Sequence, residues 1–481
     1  MQTPSGEKIS SNLFWRLMER FGAQGVTFIV SLVLARVLDP AVYGTVALIT
    51  VITTILQVFV DSGLGTALIQ KKDADDLDFS TVFYFNMAFS VVLYFLLFLF
   101  SPTIAKIYHR PELTPLIRVL GLIVIIAGAK NILHAYVSRH LLFKKFFFAT
   151  LGGTVGAAII GIWMAYHGYG AWALIAQNLF NATIDTIILW ITVKWYPKWM
   201  FSFERLKTLF SYGWKLLVST LLDKIWTQLR QLIIGVKYSA EDLAFYNKGH
   251  EFPEYATTAI NSSIDSVLLP VMSRAQDNKG EVKKMTRRAI RVSSYVMWPV
   301  MMGLAACAEP LIRVLITEKW IFAVPYLRIF CITYAFYPIH TANLNAIKAV
   351  GRSDIFLILE VIKKIVGLVL ILATMWFGVY IMALSSIAGS ICSQIINSYP
   401  NRKLLGYGYL DQLKDLAPSV VLSVCMAIIV YCIQYFGLPD ALTLALQISV
   451  GIVLYIGGSI VFKYDSYHYC VNIFKSFIAR K

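Results

Sequence analysis

Residues 79–101 read FSTVFYFNMAFSVVLYFLLFLFS, a run without a single charge. The hydrocarbon core of a bilayer takes about 20 mainly apolar residues of helix. The run is continuously apolar rather than alternating, so it reads as a transmembrane helix and not as a barrel strand. The rest of the 481-residue chain follows suit, with 58% hydrophobic and 15% charged residues. Soluble domains hold about 45–50% apolar and about 25% charged residues. A soluble enzyme of this length cannot hide that much apolar surface, because single cores stop growing and chains divide into domains. Disorder, collagen and coiled coil are excluded by the same composition. The chain is a multi-spanning, all-α membrane protein.

Similar runs, separated by charged or Gly/Pro-marked breaks, give about fourteen spans: 12–36, 43–69, 79–101, 115–138, 147–166, 170–193, 207–236, 242–272, 290–308, 323–347, 354–376, 380–400, 413–436 and 440–462. The basic residues test this count, since cytoplasmic loops of membrane proteins collect Lys and Arg. With the N-terminus inside, the inside segments hold Lys71, Lys72, Arg139, Lys144, Lys145, Lys194, Lys198 and Arg205 in the first half. A denser group follows: Arg274, Lys279, Lys283, Lys284, Arg287, Arg288 and Arg291. The outside segments hold only Arg36, Lys106, Arg110, Lys237, Arg313 and Lys319. The net charge of +16 is therefore topological, both termini are expected in the cytoplasm, and no nucleic acid is needed to explain it. The polar N-terminus lacks a cleavable signal peptide.

Shifting the chain by 200 residues brings Leu38-Asp39-Pro40-Ala41-Val42-Tyr43-Gly44 over Tyr238-Ser239-Ala240-Glu241-Asp242-Leu243-Ala244. Identity is weak, but each segment follows a charged span and opens a polar-striped one. The simplest organisation is a six-helix lobe at 1–200, a second at 201–405, and two further helices with a cytoplasmic tail at 406–481. Lobes that each begin inside and hold an even number of helices are parallel repeats, related by an axis along the membrane normal.

Charge inside a membrane is tolerated only where it meets a cavity or a partner, at roughly 2.5–3.5 kcal/mol per residue on insertion scales. Helix 1 carries Arg16, Glu19 and Arg20, then Gln24, Thr27 and Ser31, with 16, 20, 24, 27 and 31 on one face. Helix 2 presents Thr50, Thr54, Gln57 and Asp61. The seventh span presents Lys215, Ser219, Asp223, Thr227 and Arg230, with Lys224 beside the stripe; the eighth presents Glu254, Thr258, Asn261 and Asp265. The stripes belong to the first two helices of each lobe and would line one hydrated cavity. Glu360, Lys363 and Lys364 in the eleventh span fit equally well as a local i,i+3/i+4 cluster. At about 1.5 Å of rise per residue, equal depths pair Arg20 with Asp61, Lys215 with Asp265 and Lys224 with Glu254.

No catalytic constellation emerges. The seven histidines are scattered, no Walker loop occurs, and His134 and His340 read as structural. The six cysteines lie in the second half, mostly in apolar runs and without CxxC spacing, so no disulfide or metal site is expected. Aromatic residues cluster at span ends, as interfacial belts do.

With Leu38 to Gly44, Asp61-Ser62-Gly63-Leu64-Gly65 running to Lys71-Lys72, Leu268-Leu269-Pro270 through Arg274, and Glu318-Lys319-Trp320 through Pro325, the chain resembles the repeat-unit flippases of bacterial surface polysaccharides. These belong to the multidrug/oligosaccharidyl-lipid/polysaccharide exporter superfamily, and the similarity is to its colanic-acid and teichuronic-acid exporter branch. The resemblance implies two six-helix bundles around a central cavity, an inner-membrane location and alternating access. It implies a cargo of undecaprenyl-diphosphate-linked oligosaccharide and no enzyme activity. For such a cargo Arg16, Arg20, Lys215, Lys224 and Arg230 would grip diphosphate, while Gln24, Asn261 and the hydroxyls of the stripes would meet sugar. Asp61, Asp223, Glu254 and Asp265 are candidates for proton or sodium coupling. No cofactor or metal is expected; the partners are the lipid-linked cargo, the bilayer and the polysaccharide polymerase machinery. Two other readings compete. A many-spanning polymerase or ligase would be expected to carry a large polar external loop, and the longest external connections here are short. A same-fold exporter of drugs would favour an acidic cavity, whereas one of lipid II would share the diphosphate head.

Overall fold

A computed structural model describes residues 6–61 and 63–478. The side chains at 6–14, 16, 17, 19–21, 263, 265–267, 473, 474 and 476–478 lie outside the described residues, and with them the expected site residues Arg16, Arg20 and Asp265. All regular structure among the described residues is helical. By contacts the chain divides into two compact units, Met1–Ala244 and Phe245–Lys481.

The first unit contains α1 (Gly6–Val37), α2 (Pro40–Asp61), α3 (Leu64–Gln70), α4 (Asp76–Ile107), α5 (Leu113–Leu120), α6 (Leu122–Arg139), α7 (Phe143–Tyr166), α8 (Ala171–Val193) and α9 (Phe203–Lys237). Helix α10 (Ala240–Arg274) starts in it and continues into the second. There follow α11 (Lys279–Ala306), α12 (Ala308–Ile316), α13 (Val324–Ala335), α14 (Tyr337–Ala349), α15 (Ser353–Thr374), α16 (Val379–Leu405), α17 (Tyr409–Cys432), α18 (Asp440–Val461) and α19 (Asp465–Ile478).

Ten helical segments among the described residues are long and apolar enough to cross a membrane, so the chain is a multi-pass membrane protein. Helices α9, α10 and α15 are long enough but hold their charges in mid-helix, and only Gly22–Val37 of α1 counts as a shorter apolar helix. The helices that fall short of a lipid-like composition are those in which the sequence places polar stripes or clusters.

Several expected spans are interrupted. The one at 43–69 is two helices: α2 ends at Asp61 and α3 begins after Gly63, whose φ of +68° is the left-handed region that glycine enters without penalty. A Cβ at Gly63 would also lie 2.3 Å from the carbonyl oxygen of Gly213 on α9, so the break doubles as a close helix contact. The span at 115–138 is α5 and α6, and that at 323–347 is α13 and α14.

At the two segments aligned by the 200-residue shift, the helix boundaries correspond. Helix α1 ends at Val37 and α2 starts at Pro40; α9 ends at Lys237 and α10 starts at Ala240. Helix α9, expected from the sequence to open a second lobe at 201–405, packs on α2, α3 and α4 and lies in the first compact unit.

In the first unit the segments read as inside meet at one end. Lys71 pairs with the fully buried Asp78 at 2.6 Å, Arg205 reaches the same carboxylate at 3.5 Å, and Lys198 pairs with Asp76 at 2.6 Å. Arg139 donates to the carbonyls of Leu68 (2.8 Å) and Lys72 (2.7 Å). Asp75 and Asp78 form a capping box at the start of α4, and the Asp78 backbone N–H donated to Asp75 holds that carboxyl below its ordinary value.

The second unit has the same device. Asp415 on α17 accepts from Arg287 Nε (2.6 Å) and Nη2 (2.8 Å), from Arg291, and from the Tyr407 hydroxyl (2.9 Å). Burial first, and this bond to Asp415 next, push the Tyr407 phenol far above its ordinary range. Tyr295 of α11 donates to Ser459 of α18 at 2.8 Å, and Tyr455 donates back to the Tyr295 carbonyl at 2.7 Å. The last two long helices are therefore integral to the second unit rather than an appendage. Removing one member of a buried ion pair costs about 3–5 kcal/mol, and partial exposure of both arginines reduces this to roughly 2 kcal/mol. Asp415→Ala should lower the melting temperature in detergent by several degrees, and Asp415→Asn by less; an unchanged melt for Asp415→Ala would contradict this.

Candidate functional site: a polar cavity in the first unit

On α2, Thr50, Thr54, Gln57 and Asp61 step by three and four residues and so share one face, flanked on both sides by buried residues such as Val46, Ile49, Val51 and Val58. Thr54, Gln57 and Asp61 line a cavity of about 450 Å³ that lies wholly within the first unit. Helix α3 adds Gly65 and Thr66, α6 adds Asn131, His134 and Ser138, and α9 adds Thr220 and Lys224. Residues 131, 134 and 138 step by three and four, as do 220 and 224, so each helix contributes one face.

The interruption of α2 explains the position of Asp61. Ending the helix there leaves Asp61 exposed at the cavity, with Oδ1 3.5 Å from where a Cβ on Gly65 would sit. Irregular backbone inside a membrane is tolerated only where it is buried in protein or lines a hydrated space. Behind the cavity wall, Lys130 of α6 is ion-paired with the buried Asp185 of α8. Pairing is how a bilayer-spanning bundle accommodates such charges. His134 packs its ring against Phe146 at 4.6 Å while one side borders the cavity.

The cavity combines one ammonium, one carboxylate, an imidazole, two side-chain amides and several hydroxyls. Among the described residues there is no group of three or more His, Cys, Asp or Glu placed to hold a metal ion. The lining offers hydrogen bonds in both directions and one cation, which suits a hydroxylated, anionic guest.

The expected site residues divide. Asp61 and Lys224 line this one cavity. Gln24 is half-buried and Lys215 exposed, and neither lines it; nor do Asp223 and Arg230, both of which have interaction partners. On α9 the cavity face runs through 220 and 224, one position on from the stripe at 215, 219, 223, 227 and 230. In the second unit Asn261 is half-buried with its side-chain carbonyl oxygen unbonded, and Glu254 faces His250 Nδ1 at 3.2 Å. Of the three pairs expected from depth, two have a member outside the described side chains; in the third, Lys224 belongs to the first unit and Glu254 to the second. His134, read as structural, borders the cavity together with Asn131 and Ser138; their shared spacing on α6 was the signal that a search confined to charged stripes passes over.

The family model described as polysaccharide biosynthesis protein matches residues 33–325, more than half the chain and every residue that lines the cavity. This chain belongs to that family. Curated relatives match over most of both chains. It is 22% identical over 472 residues to the succinoglycan biosynthesis transport protein ExoT of Rhizobium meliloti (strain 1021), covering 94% of this chain and 93% of that one. It is 24% identical over 421 residues to the teichuronic acid biosynthesis protein TuaB of Bacillus subtilis (strain 168), covering 84% and 85%. It is 22% identical over 437 residues to the lipopolysaccharide biosynthesis protein WzxC of Escherichia coli (strain K12), covering 88% of each. Among solved structures its fold is similar to the lipid II flippase MurJ in an inward closed conformation, with a TM-score of 0.76, 14% identity and 93% and 98% coverage. It is also similar to an inward-facing multidrug resistance MATE transporter of the MOP superfamily, with a TM-score of 0.60, 13% identity and 80% and 94% coverage. The resemblance read from the Leu38–Gly44 and Asp61–Gly65 motifs is borne out by these matches.

Proposed function

We propose that this chain is a flippase, not an enzyme, that carries polyprenyl-diphosphate-linked oligosaccharide repeat units across the bacterial inner membrane by alternating access. The polysaccharide is of the O-antigen, capsule or exopolysaccharide kind, and both termini are cytoplasmic. The observation that carries the reading is the cavity lined by Asp61 and Lys224 in a chain that has, among its described residues, ten helical segments apolar enough to cross a membrane. A glycan needs many neutral donors and acceptors, and Gln57, Asn131, Thr54, Thr66, Ser138 and Thr220 supply them; a diphosphate needs a cation, and Lys224 supplies one. The polyprenyl tail stays in lipid. Arg16, Arg20, Lys215 and Arg230 extend the cationic path, and the carboxylates Asp61, Asp223, Glu254 and Asp265 couple it to a proton or sodium ion. The two repeats act as six-helix lobes, with 406–481 supporting the second, and the released repeat units pass to the polymerase machinery.

Deleting the gene should cause lipid-linked repeat units to accumulate while surface polysaccharide falls at least tenfold. Loss of polymer without that accumulation would place the defect upstream, and normal polymer would end the proposal.

A further inference from the structure

In the second unit, His250 of α10 stands between two oxygen groups. Its Nε2 lies 2.6 Å from the Tyr334 hydroxyl on α13, and its Nδ1 lies 3.2 Å from the Glu254 carboxylate one turn on. Its ring meets Phe330 edge-on at 4.8 Å. His250 is ten residues into α10, about 15 Å along the helix, and its partner Tyr334 lies in the segment Glu318–Ala349, which is apolar enough to cross a membrane. An ionisable group there is functional until shown otherwise, and its partner is part of the argument.

We propose that the His250–Glu254–Tyr334 triad is the site that takes up the coupling proton; the proposal rests on the flippase reading above. Geometry fixes the starting state. A carboxylate can only accept, so Nδ1 carries hydrogen and donates to Glu254. The neutral ring then has a lone pair at Nε2, which accepts from the Tyr334 hydroxyl. This state has a net charge of −1. Adding one proton at Nε2 gives imidazolium beside carboxylate, and the net charge becomes zero. The same event inverts the second hydrogen bond: Nε2–H now donates to the Tyr334 oxygen, and the Tyr334 O–H must turn to another acceptor. Tyr334 meets Tyr337 of α14 at 5.0 Å between ring centres, the rings tilted by 59°, so the protonation state of α10 is read out in the α13–α14 corner.

The neighbours are consistent with a proton and poor for a metal ion. On α10 itself, Lys248 is buried and paired with Glu251 at 2.6 Å, so that pair adds no net charge. Tyr246 and Tyr255 are the other titratable groups on this stretch of α10. Helix α13 brings Tyr326 and Tyr334, and beyond Tyr337 the α15 pair Glu360–Lys363, at 2.6 Å, is again neutral. One carboxylate flanked by an N–H and a phenol cannot give a hard cation the six or more oxygens it prefers.

The test is pH-difference infrared spectroscopy of the full chain in lipid nanodiscs. As the pH is lowered, a histidine ring band and a tyrosine band should change together. His250→Gln should remove both, and Tyr334→Phe, which deletes a single hydroxyl, should remove the tyrosine band and shift the histidine midpoint. A spectrum that Tyr334→Phe leaves unchanged, or that survives His250→Gln, overturns the site. In cells both variants should cut polysaccharide export about tenfold, the effect of one lost charge-assisted hydrogen bond, and wild-type export would overturn the coupling role. Failure of the flippase reading would look different: the triad would titrate as described, yet no lipid-linked glycan would accumulate in the deletion strain.

Discussion

Lys224→Ala should abolish most polysaccharide export while leaving the protein in the membrane at its normal amount. Lys224 is the one cation lining the first-unit cavity among the described residues, and it shares that cavity with Asp61. A hydrogen bond to a charged group contributes about 1.5–3 kcal/mol, so its loss corresponds to roughly a ten- to hundredfold drop. Lys224→Arg should retain part of the activity, because charge and donors persist. Asp61→Asn should behave differently: with no carboxylate to compete for the ammonium, cargo binds but leaves slowly, so binding is kept and transport falls. Cys425→Ala, at an exposed thiol that does not line the cavity, should be silent. Quantifying surface polysaccharide against membrane-inserted protein checks all four, and wild-type export in Lys224→Ala would sink the cation role.

Gly44→Ala should be the most damaging small substitution in the first unit. A Cβ at position 44 would lie 1.7 Å from the Ala240 carbonyl oxygen and 2.4 Å from its carbon, where α2 meets the start of α10. Backbone cannot turn aside as a flexible side chain does. The two helices must part, and overpacking of this kind costs about 1–3 kcal/mol, occasionally more. The control is Gly25→Ala in α1, where nothing stands within 4 Å of the new methyl. In mid-helix that change should be neutral or stabilising by about 0.5–1 kcal/mol. Thermal unfolding in detergent should show a much lower melting temperature for Gly44→Ala than for Gly25→Ala. Equal melts would mean that the α2–α10 contact is not tight.

The contact at Gly44 also shows what the sequence disclosed. The 200-residue register between Leu38–Gly44 and Tyr238–Ala244 is visible as a pattern of polar and charged spans, and the helix starts at Pro40 and Ala240 keep it. That these two segments touch is not legible, because no periodicity encodes a packing distance. The stripe Thr54, Gln57, Asp61 was legible from helical spacing alone. The break after Asp61 was not: the chain stays apolar through Leu64 and Leu68, and only the left-handed φ of Gly63 exposes the interruption. Asn131, His134 and Ser138 escaped because neutral polar residues on an otherwise apolar helix resemble packing residues. The Asp415 cluster escaped for a different reason. Its arginines lie in a loop-proximal basic run that the positive-inside rule already explains, so nothing in the sequence called for a carboxylate partner 128 residues away from Arg287.

The central claim is movement of a lipid-linked glycan from one leaflet to the other, and the direct measurement is the leaflet in which that glycan resides. Spheroplasts with and without the protein can be exposed to a membrane-impermeant glycosidase or lectin that reaches only the outer leaflet. With the protein present and polymerisation blocked, most of the polyprenyl-linked repeat unit should be accessible; with the protein absent, or with Lys224→Ala in its place, the accumulated repeat unit should be protected. Equal accessibility in the presence and absence of the protein would contradict the account.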